Sequence, residues 1–218
     1  MIPKIVHYCW FGGNEMSPLI QECIKSWHRY LPDWEFILWN EENSPLEHAF
    51  VKKALKDKKY AFVADYVRCY ALYEYGGVYL DTDMEIIKDI TLLLSYSFFS
   101  AYEDSDYSKV SCGAIGCEKE HLIVKKILEY YDNQPNLYIA MPQILGKVYT
   151  SLSCADCIIL PSTSFYPYNP FDEEKPVKQL MYVHIKEDTY GIHHWGYSWK
   201  FNYFERIMNK LKRIIRGL

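Results

Sequence analysis

The chain has 218 residues, 50% hydrophobic and 24% charged, with a net charge of −4. That is enough chain to bury one core as a single domain, and its charge balance offers nucleic acid no basic surface. No apolar run approaches the length of a membrane span, and the start of the chain lacks the basic region and long apolar stretch of an export signal, so a cytoplasmic protein is expected.

The seven cysteines are an odd number, and in a reducing compartment they read as buried thiols. Cys154-Ala-Asp-Cys157 is a lone CxxC without a second pair or a His at zinc spacing, so no zinc site is expected. The 21 Tyr and 6 Trp suit stacking on bases and sugars, although most such rings serve packing.

In chain order, Lys4–Cys9 reads as a strand that empties into the loop Trp10-Phe-Gly-Gly13. Leu19, Cys23, Ile24 and Trp27 recur at helical spacing after Ser17, a suitable N-cap, and predict a helix over Pro18–Tyr30. Trp34–Trp39 is a second strand and residues 45–58 look helical. Ala61–Tyr75 is a stronger helix, apolar nearly all round and therefore buried, and Gly76-Gly77 ends it. Val78–Leu80 is the next strand. Further strands are expected at Phe98–Tyr102, Ala114–Gly116, Cys157–Leu160 and Tyr182–Ile185, with helices at Glu120–Asp132, Pro142–Leu152 and Phe201–Arg216. Residues 161–176, rich in proline, read as a loop. The alternation predicts an α/β fold with a largely parallel sheet, whose ligands bind beyond the carboxyl ends of the strands.

Asp81 and Asp83 stand at such an end. On an extended backbone residues i and i+2 point the same way, so the two carboxylates can converge on one hard cation such as Mg²⁺ or Mn²⁺. A turn or helix cap is the plain alternative for the pair. Asp65 and Arg68 share a face of the buried helix, and a buried ion pair is costly without good partners or a purpose. Ile192-His-His-Trp-Gly-Tyr-Ser-Trp199 concentrates two His, a Ser and two Trp, a composition suited to a metal or phosphate site. Phe204, Ile207, Met208, Leu211, Ile214, Ile215 and Leu218 form an apolar stripe among Arg206, Lys210, Lys212, Arg213 and Arg216. That helix either docks on the core or lies on an anionic membrane surface.

Three segments in this order resemble one family. Ala64-Asp65-x-x-Arg68 followed by Tyr75-Gly-Gly-Val-Tyr-Leu-Asp81-x-Asp83 is similar to the sugar-transferase region containing a DXD motif. That region is shared by bacterial polysaccharide glycosyltransferases, fungal mannosyltransferases of glycosyltransferase family 32 and, more distantly, clostridial glucosylating toxins. Ile2–Gly13 resembles the family's first strand and nucleotide loop, and His193–Trp199 its closing motif. The resemblance implies a GT-A fold over residues 1–200, a Rossmann-like mixed sheet flanked by helices; the basic amphipathic helix, at 201–218, lies beyond it. It implies Mn²⁺ or Mg²⁺, a nucleotide-sugar donor with a UDP-hexose as the default, and retention of configuration. Carried over by position, Asp83 and His194 (His193 as the alternative) hold the metal. Asp65, Arg68 and Asp81 handle the donor sugar, Trp10 lies against the base, and Ser198 and Trp199 meet the diphosphate. The acceptor would be a glycan or lipid-linked saccharide in surface polysaccharide synthesis (capsule or lipopolysaccharide) at the inner face of the cell membrane. Two other readings stay open: a metal-dependent phosphohydrolase, and a non-catalytic module that binds sugar nucleotides or glycans.

Overall fold

The computed structural model describes residues 1–196. In chain order its elements are β1 (Ile5–Cys9), α1 (Pro18–Tyr30), β2 (Glu35–Trp39), α2 (Ala49–Lys56), α3 (Tyr60–Tyr75), β3 (Gly77–Leu80), β4 (Met84–Ile86), β5 (Phe98–Ala101), β6 (Ala114–Cys117), α4 (Leu122–Asn133), α5 (Met141–Ser151), β7 (Cys157–Leu160) and β8 (Gly191–His193). Ser198, Trp199 and the basic helix expected at 201–218 lie outside the described residues.

Six strands form one mixed sheet in the order β2-β1-β3-β6-β5-β7. β1 runs parallel to β2 and β3, and β5 parallel to β7. β6 runs antiparallel to both its neighbours, so the sheet is less parallel than the strand–helix alternation suggested. One face is covered by α2, α3, α4 and α5, with Phe50, Val67, Leu72, Ile127 and Leu145 fully or nearly fully buried between them. The other carries α1 through Trp27, together with Met84, Leu94 and Phe165. Helix α3 is buried on most sides, including Asp65 and Arg68.

Local chemistry accounts for the best-read elements. Ser17 Oγ accepts from Ile20 N, and Pro18 at the first helical position starts α1. Gly76 ends α3 at φ 66°, with its N–H donating to Leu72 O. Gly77 follows at φ 103°, and a Cβ there would sit 2.7 Å from Ile5 O. These two glycines let the chain reverse from α3 straight into β3 beside β1. The buried His7 secures that reversal by donating from Nε2 to Gly76 O at 2.8 Å, while its Nδ1 accepts from Trp39 Nε1 at 3.1 Å.

Two expectations are corrected. The strand placed at Tyr182–Ile185 is a 3₁₀ turn over Tyr182–His184, with Tyr182 94% exposed. A two-stranded ribbon, β4 with β8, was not expected at all. It pairs Met84 with His193 and Ile86 with Gly191, and it carries the end of the described chain back to the aspartate pair.

Candidate active site

Asp81 follows β3, and its N–H donates to Gly113 O at 2.8 Å. Met84 N donates to Asp81 O at 2.9 Å, so a tight turn, not a continued strand, carries the two carboxylates into β4. They converge all the same, because β8 delivers a third group. His193 Nε2 lies 3.2 Å from Asp83 Oδ1 and 3.8 Å from Asp81 Oδ2. One donor atom from each of the three residues falls within 4.8 Å of the others. The backbone N–H of Gly196 donates to the second oxygen of Asp83 at 2.7 Å.

Beside this cluster is a buried ionic triad. Arg68 Nη2 lies 3.2 Å from Asp65 Oδ1 and 3.3 Å from Asp81 Oδ1. Its Nη1 donates to Cys112 O at 2.7 Å, and its guanidinium carbon sits 4.3 Å from the centre of the Tyr79 ring. Tyr79 OH donates to Asp81 Oδ1 at 3.2 Å. Asp65 Oδ2 accepts from the Met141 N–H, at the first residue of α5, at 3.1 Å. Each charge thus has the partners that a buried ion needs.

The surroundings set the protonation states. Burial works to raise the Asp83 carboxyl, but the charge and hydrogen bond of His193 and the Gly196 N–H outweigh it and leave Asp83 at about 2. Burial lowers His193, yet Asp83, Asp81 and Glu103 together push it above its ordinary value. Asp65 is raised, with burial prevailing over Arg68 and the Met141 N–H. Arg68 is opposed by burial but held charged by its surroundings, Cys112, Tyr79 and the two carboxylates.

The remaining sequence-predicted residues divide. Trp10 lines a cleft of about 260 Å³ together with Asn14, Glu15, Ser17, Leu19, Ile20, Asp83 and Gly196, so it shares a wall with the carboxylate cluster. Its indole N–H donates to Asn14 O at 2.6 Å. His194, preferred in the sequence reading as the metal ligand, faces Glu85, with Nε2 2.7 Å from Oε2. The described structure brings His193 to the pair in its place, because successive residues leaving β8 point opposite ways.

Several site residues were missed. Ser111-Cys112-Gly113 received no role, yet its carbonyls hold Arg68 and Asp81. A Cβ on Gly113 would stand 2.7 Å from Asp81 Oδ2 and 2.8 Å from Tyr166 OH, so no side chain fits there. Met141, Tyr79 and Tyr166 also belong to the walls. Met141 and Tyr166 reach the site from segments far apart in the chain, which no local spacing signals, whereas Tyr79 stands two residues before Asp81, on the same side of the strand.

The donor set fits a divalent cation. Two carboxylates and one imidazole supply oxygen and nitrogen ligands for it. Ligation through His193 Nε2 requires the ring proton on Nδ1, and His193 Nδ1 has no hydrogen-bond partner among the described residues to forbid that.

Known proteins resemble this chain in sequence and in fold. Residues 17–100 match the family model described as a glycosyltransferase sugar-binding region containing a DXD motif. Inositol phosphoceramide mannosyltransferase 3 of Schizosaccharomyces pombe is 27% identical over 160 residues, which is 69% of this chain and 44% of that protein. The chain therefore spans under half the length of this relative. Among solved structures, the PaToxG glycosyltransferase superposes with a TM-score of 0.57 at 19% identity, covering 69% of this chain and 70% of that one. A glycosyltransferase involved in glycosylating the major capsid of PBCV-1 gives 0.53 at 15% identity, covering 90% and 95%. The architecture is the GT-A fold.

Proposed function

We propose that this chain, which carries a glycosyltransferase sugar-binding DXD region on a GT-A fold, is a metal-dependent hexosyltransferase that draws on a nucleotide-sugar donor. The observation that carries the reading is the adjacency of two carboxylate sites. The Asp81–Asp83–His193 cluster opens on the cleft that contains Trp10, and the Arg68 triad shares Asp81 with it.

In this reading Asp83 and His193, with Asp81, hold Mn²⁺ or Mg²⁺. When bound, the cation supplies Lewis-acid stabilisation to a leaving nucleoside diphosphate. Trp10 offers the base a flat apolar wall. Asp65 and Arg68 orient the sugar hydroxyls, and their mutual tethering fixes that pose. Asp65 is committed to Arg68 and the Met141 N–H, and Asp81 to Arg68 and Tyr79. Neither is a free nucleophile, so retention of configuration, which the resemblance implies, would run by transfer on one face of the sugar and not through a covalent glycosyl-enzyme. UDP-hexose is the default donor, and the mannosyltransferase relative makes a mannose donor the first alternative. That relative's name also favours a lipid-linked acceptor over a free sugar. Among the described residues no helix is long and apolar enough to cross a membrane.

The test is a screen of nucleotide sugars for Mn²⁺-dependent release of nucleoside diphosphate, wild type against Asp83→Asn. One donor turned over, with the signal lost in the variant, is the expected result. Metal-dependent release of phosphate from simple monoesters, with every nucleotide sugar left intact, would overturn it.

A further inference from the structure

Far from this cleft, on the connection from α5 to the edge strand β7, Cys154 and Cys157 are joined as a disulfide. This corrects the expectation that all the cysteines are buried thiols. The other five, Cys9, Cys23, Cys69, Cys112 and Cys117, are free and buried, whereas the CxxC pair is half-exposed. His121 Nε2 stands 3.6 Å from Cys157 Sγ, and Ser97 Oγ lies 3.8 Å and 3.7 Å from the two sulfurs.

These two cysteines and His121 have the composition of a soft-metal site, with one donor atom from each within 4.8 Å of the others. The hydrogen bonding of His121 decides against that use. His121 is the N-cap of α4, and its Nδ1 accepts from Ile123 N at 3.2 Å. A neutral imidazole with an accepting Nδ1 carries its proton on Nε2. Burial lowers the His121 pKa against a weaker opposing effect of Glu118, which favours that neutral form. Nε2 therefore presents an N–H to sulfur, not a lone pair to a metal. His193 is the opposite case, its Nδ1 having no hydrogen-bond partner among the described residues. An N–H aimed at Cys157 favours its thiolate once the bond is reduced, and the thiolate is the form that exchanges.

We infer that Cys154 and Cys157 are a reversible dithiol–disulfide couple, in which Cys157, facing the His121 N–H, is the thiolate that exchanges with small-molecule disulfides of the glutathione class. In oxidation the Cys157 thiolate attacks one sulfur of the small disulfide. The S–S bond breaks, and one small thiolate leaves and takes a proton. Cys154, deprotonated, then attacks Cys157 in the mixed disulfide and expels the second small thiol. The protein loses two electrons and two protons, and the small disulfide gains them. Reduction runs the same steps backwards.

The test equilibrates the full chain in buffers of graded reduced-to-oxidised glutathione ratio, alkylates the free thiols and counts additions by mass spectrometry. Two additions should appear together as the ratio rises, and they should map to Cys154 and Cys157. Single-thiol variants then locate the thiolate. In Cys154→Ser, Cys157 should alkylate with a pH midpoint below the ordinary ~8.5 of a free thiol. In Cys157→Ser, Cys154 should show no such lowering. His121→Asn preserves a capping acceptor for the Ile123 N–H but removes the N–H at sulfur. Placed in the Cys154→Ser background, it should raise the Cys157 midpoint by about one unit with the thermal transition unchanged. A pair that stays oxidised or stays reduced at every ratio would overturn the inference. So would equal midpoints untouched by His121→Asn. Uptake of one equivalent of Zn²⁺ by the reduced protein, abolished in Cys154→Ser, would reassign the trio as a metal site.

Discussion

Asp81 belongs to two regions of opposite character. Toward Arg68 and Asp65 it faces a fully partnered triad whose other two side chains are buried; the three come from α3 and the end of β3 and are fixed by the backbone of the 111–113 segment and of α5. Toward Asp83 and His193 it faces a partly buried cluster mounted on a three-residue ribbon and bordering the Trp10 cleft. Both are assemblies of charge, but only the first is woven into the core. The difference separates two kinds of consequence. Changes in the triad should fall most heavily on folding, whereas changes in the cluster should fall most heavily on cation binding.

The sharpest way to break that comparison is Arg68→Met. It keeps the volume and strands two carboxylates, Asp65 behind the protein surface and Asp81 at its edge. Removing one partner from a buried ion network typically costs about 3–5 kcal/mol, and urea unfolding should show a loss in that range. Adding Asp65→Asn should recover part of it, because one of the stranded charges disappears. A loss below about 1 kcal/mol would place the triad with ordinary exposed ion pairs and erase the distinction between the regions.

The buried region makes a second prediction through His7, which anchors the α3–β3 reversal. Burial, against the hydrogen bond to Gly76, lowers its pKa from 6.5 to about 4. Between those values the unfolded chain binds the proton and the folded chain does not. The contribution of His7 is therefore complete above the unfolded value and is lost as pH falls from 6.5 toward about 4. It amounts to about 3 kcal/mol by linkage. Urea midpoints taken down this range should fall more steeply for wild type than for His7→Gln, which can still donate to Gly76 O. Parallel curves would show that His7 titrates normally.

The open cluster should respond in the other way. Asp83→Asn leaves an acceptor for the Gly196 N–H but gives up the charge of a carboxyl that His193 and that N–H hold at about 2, so its stability at neutral pH should fall by about 2 kcal/mol, less than the loss expected in the triad. Its Mn²⁺ affinity, read by calorimetry on the full chain, should drop by more than about 100-fold, the upper end of what loss of an outer-shell partner costs. Unfolding of this variant, or full retention of the cation, would contradict the assignment.

How much of this was legible in the sequence follows the same divide. The helix with Asp65 and Arg68, the glycine pair after it and the strand leading to Asp81 were readable because each is set by local rules: apolar spacing, a C-terminal glycine, a short apolar run. The ribbon was not. β8 is three residues long and begins with Gly191, and it is a strand only because Met84–Ile86 pairs with it. Tyr182–Ile185 has better strand composition but pairs with no strand among the described residues, and Tyr182–His184 is a 3₁₀ turn at the surface. His121, Cys154 and Cys157 were separated by the same blindness, since the histidine meets the sulfurs through β5 and its partner β7, not through spacing. The register of a strand decides which of two adjacent residues faces a site, and register is a tertiary fact.

The neighbouring histidines give the smallest and most discriminating prediction. His194 pairs with Glu85 where both side chains keep solvent contact, and such a pair is worth about 1 kcal/mol or less. His194→Gln should therefore leave Mn²⁺ affinity within about threefold of wild type, a factor that corresponds to well under 1 kcal/mol. His193→Gln, one residue earlier, should weaken it as Asp83→Asn does. The backbone helps keep the two apart, since His194 N donates to Asp83 O at 3.0 Å and His193 N to Phe165 O at 3.0 Å. Equal losses in the two variants would mean that the ribbon shifts register when the cation binds, bringing the second imidazole to the carboxylates. A loss confined to His194→Gln would reverse the assignment of the two rings. Either result would move the boundary between the rigid and the open halves of the site from Asp81 to the β4–β8 ribbon itself.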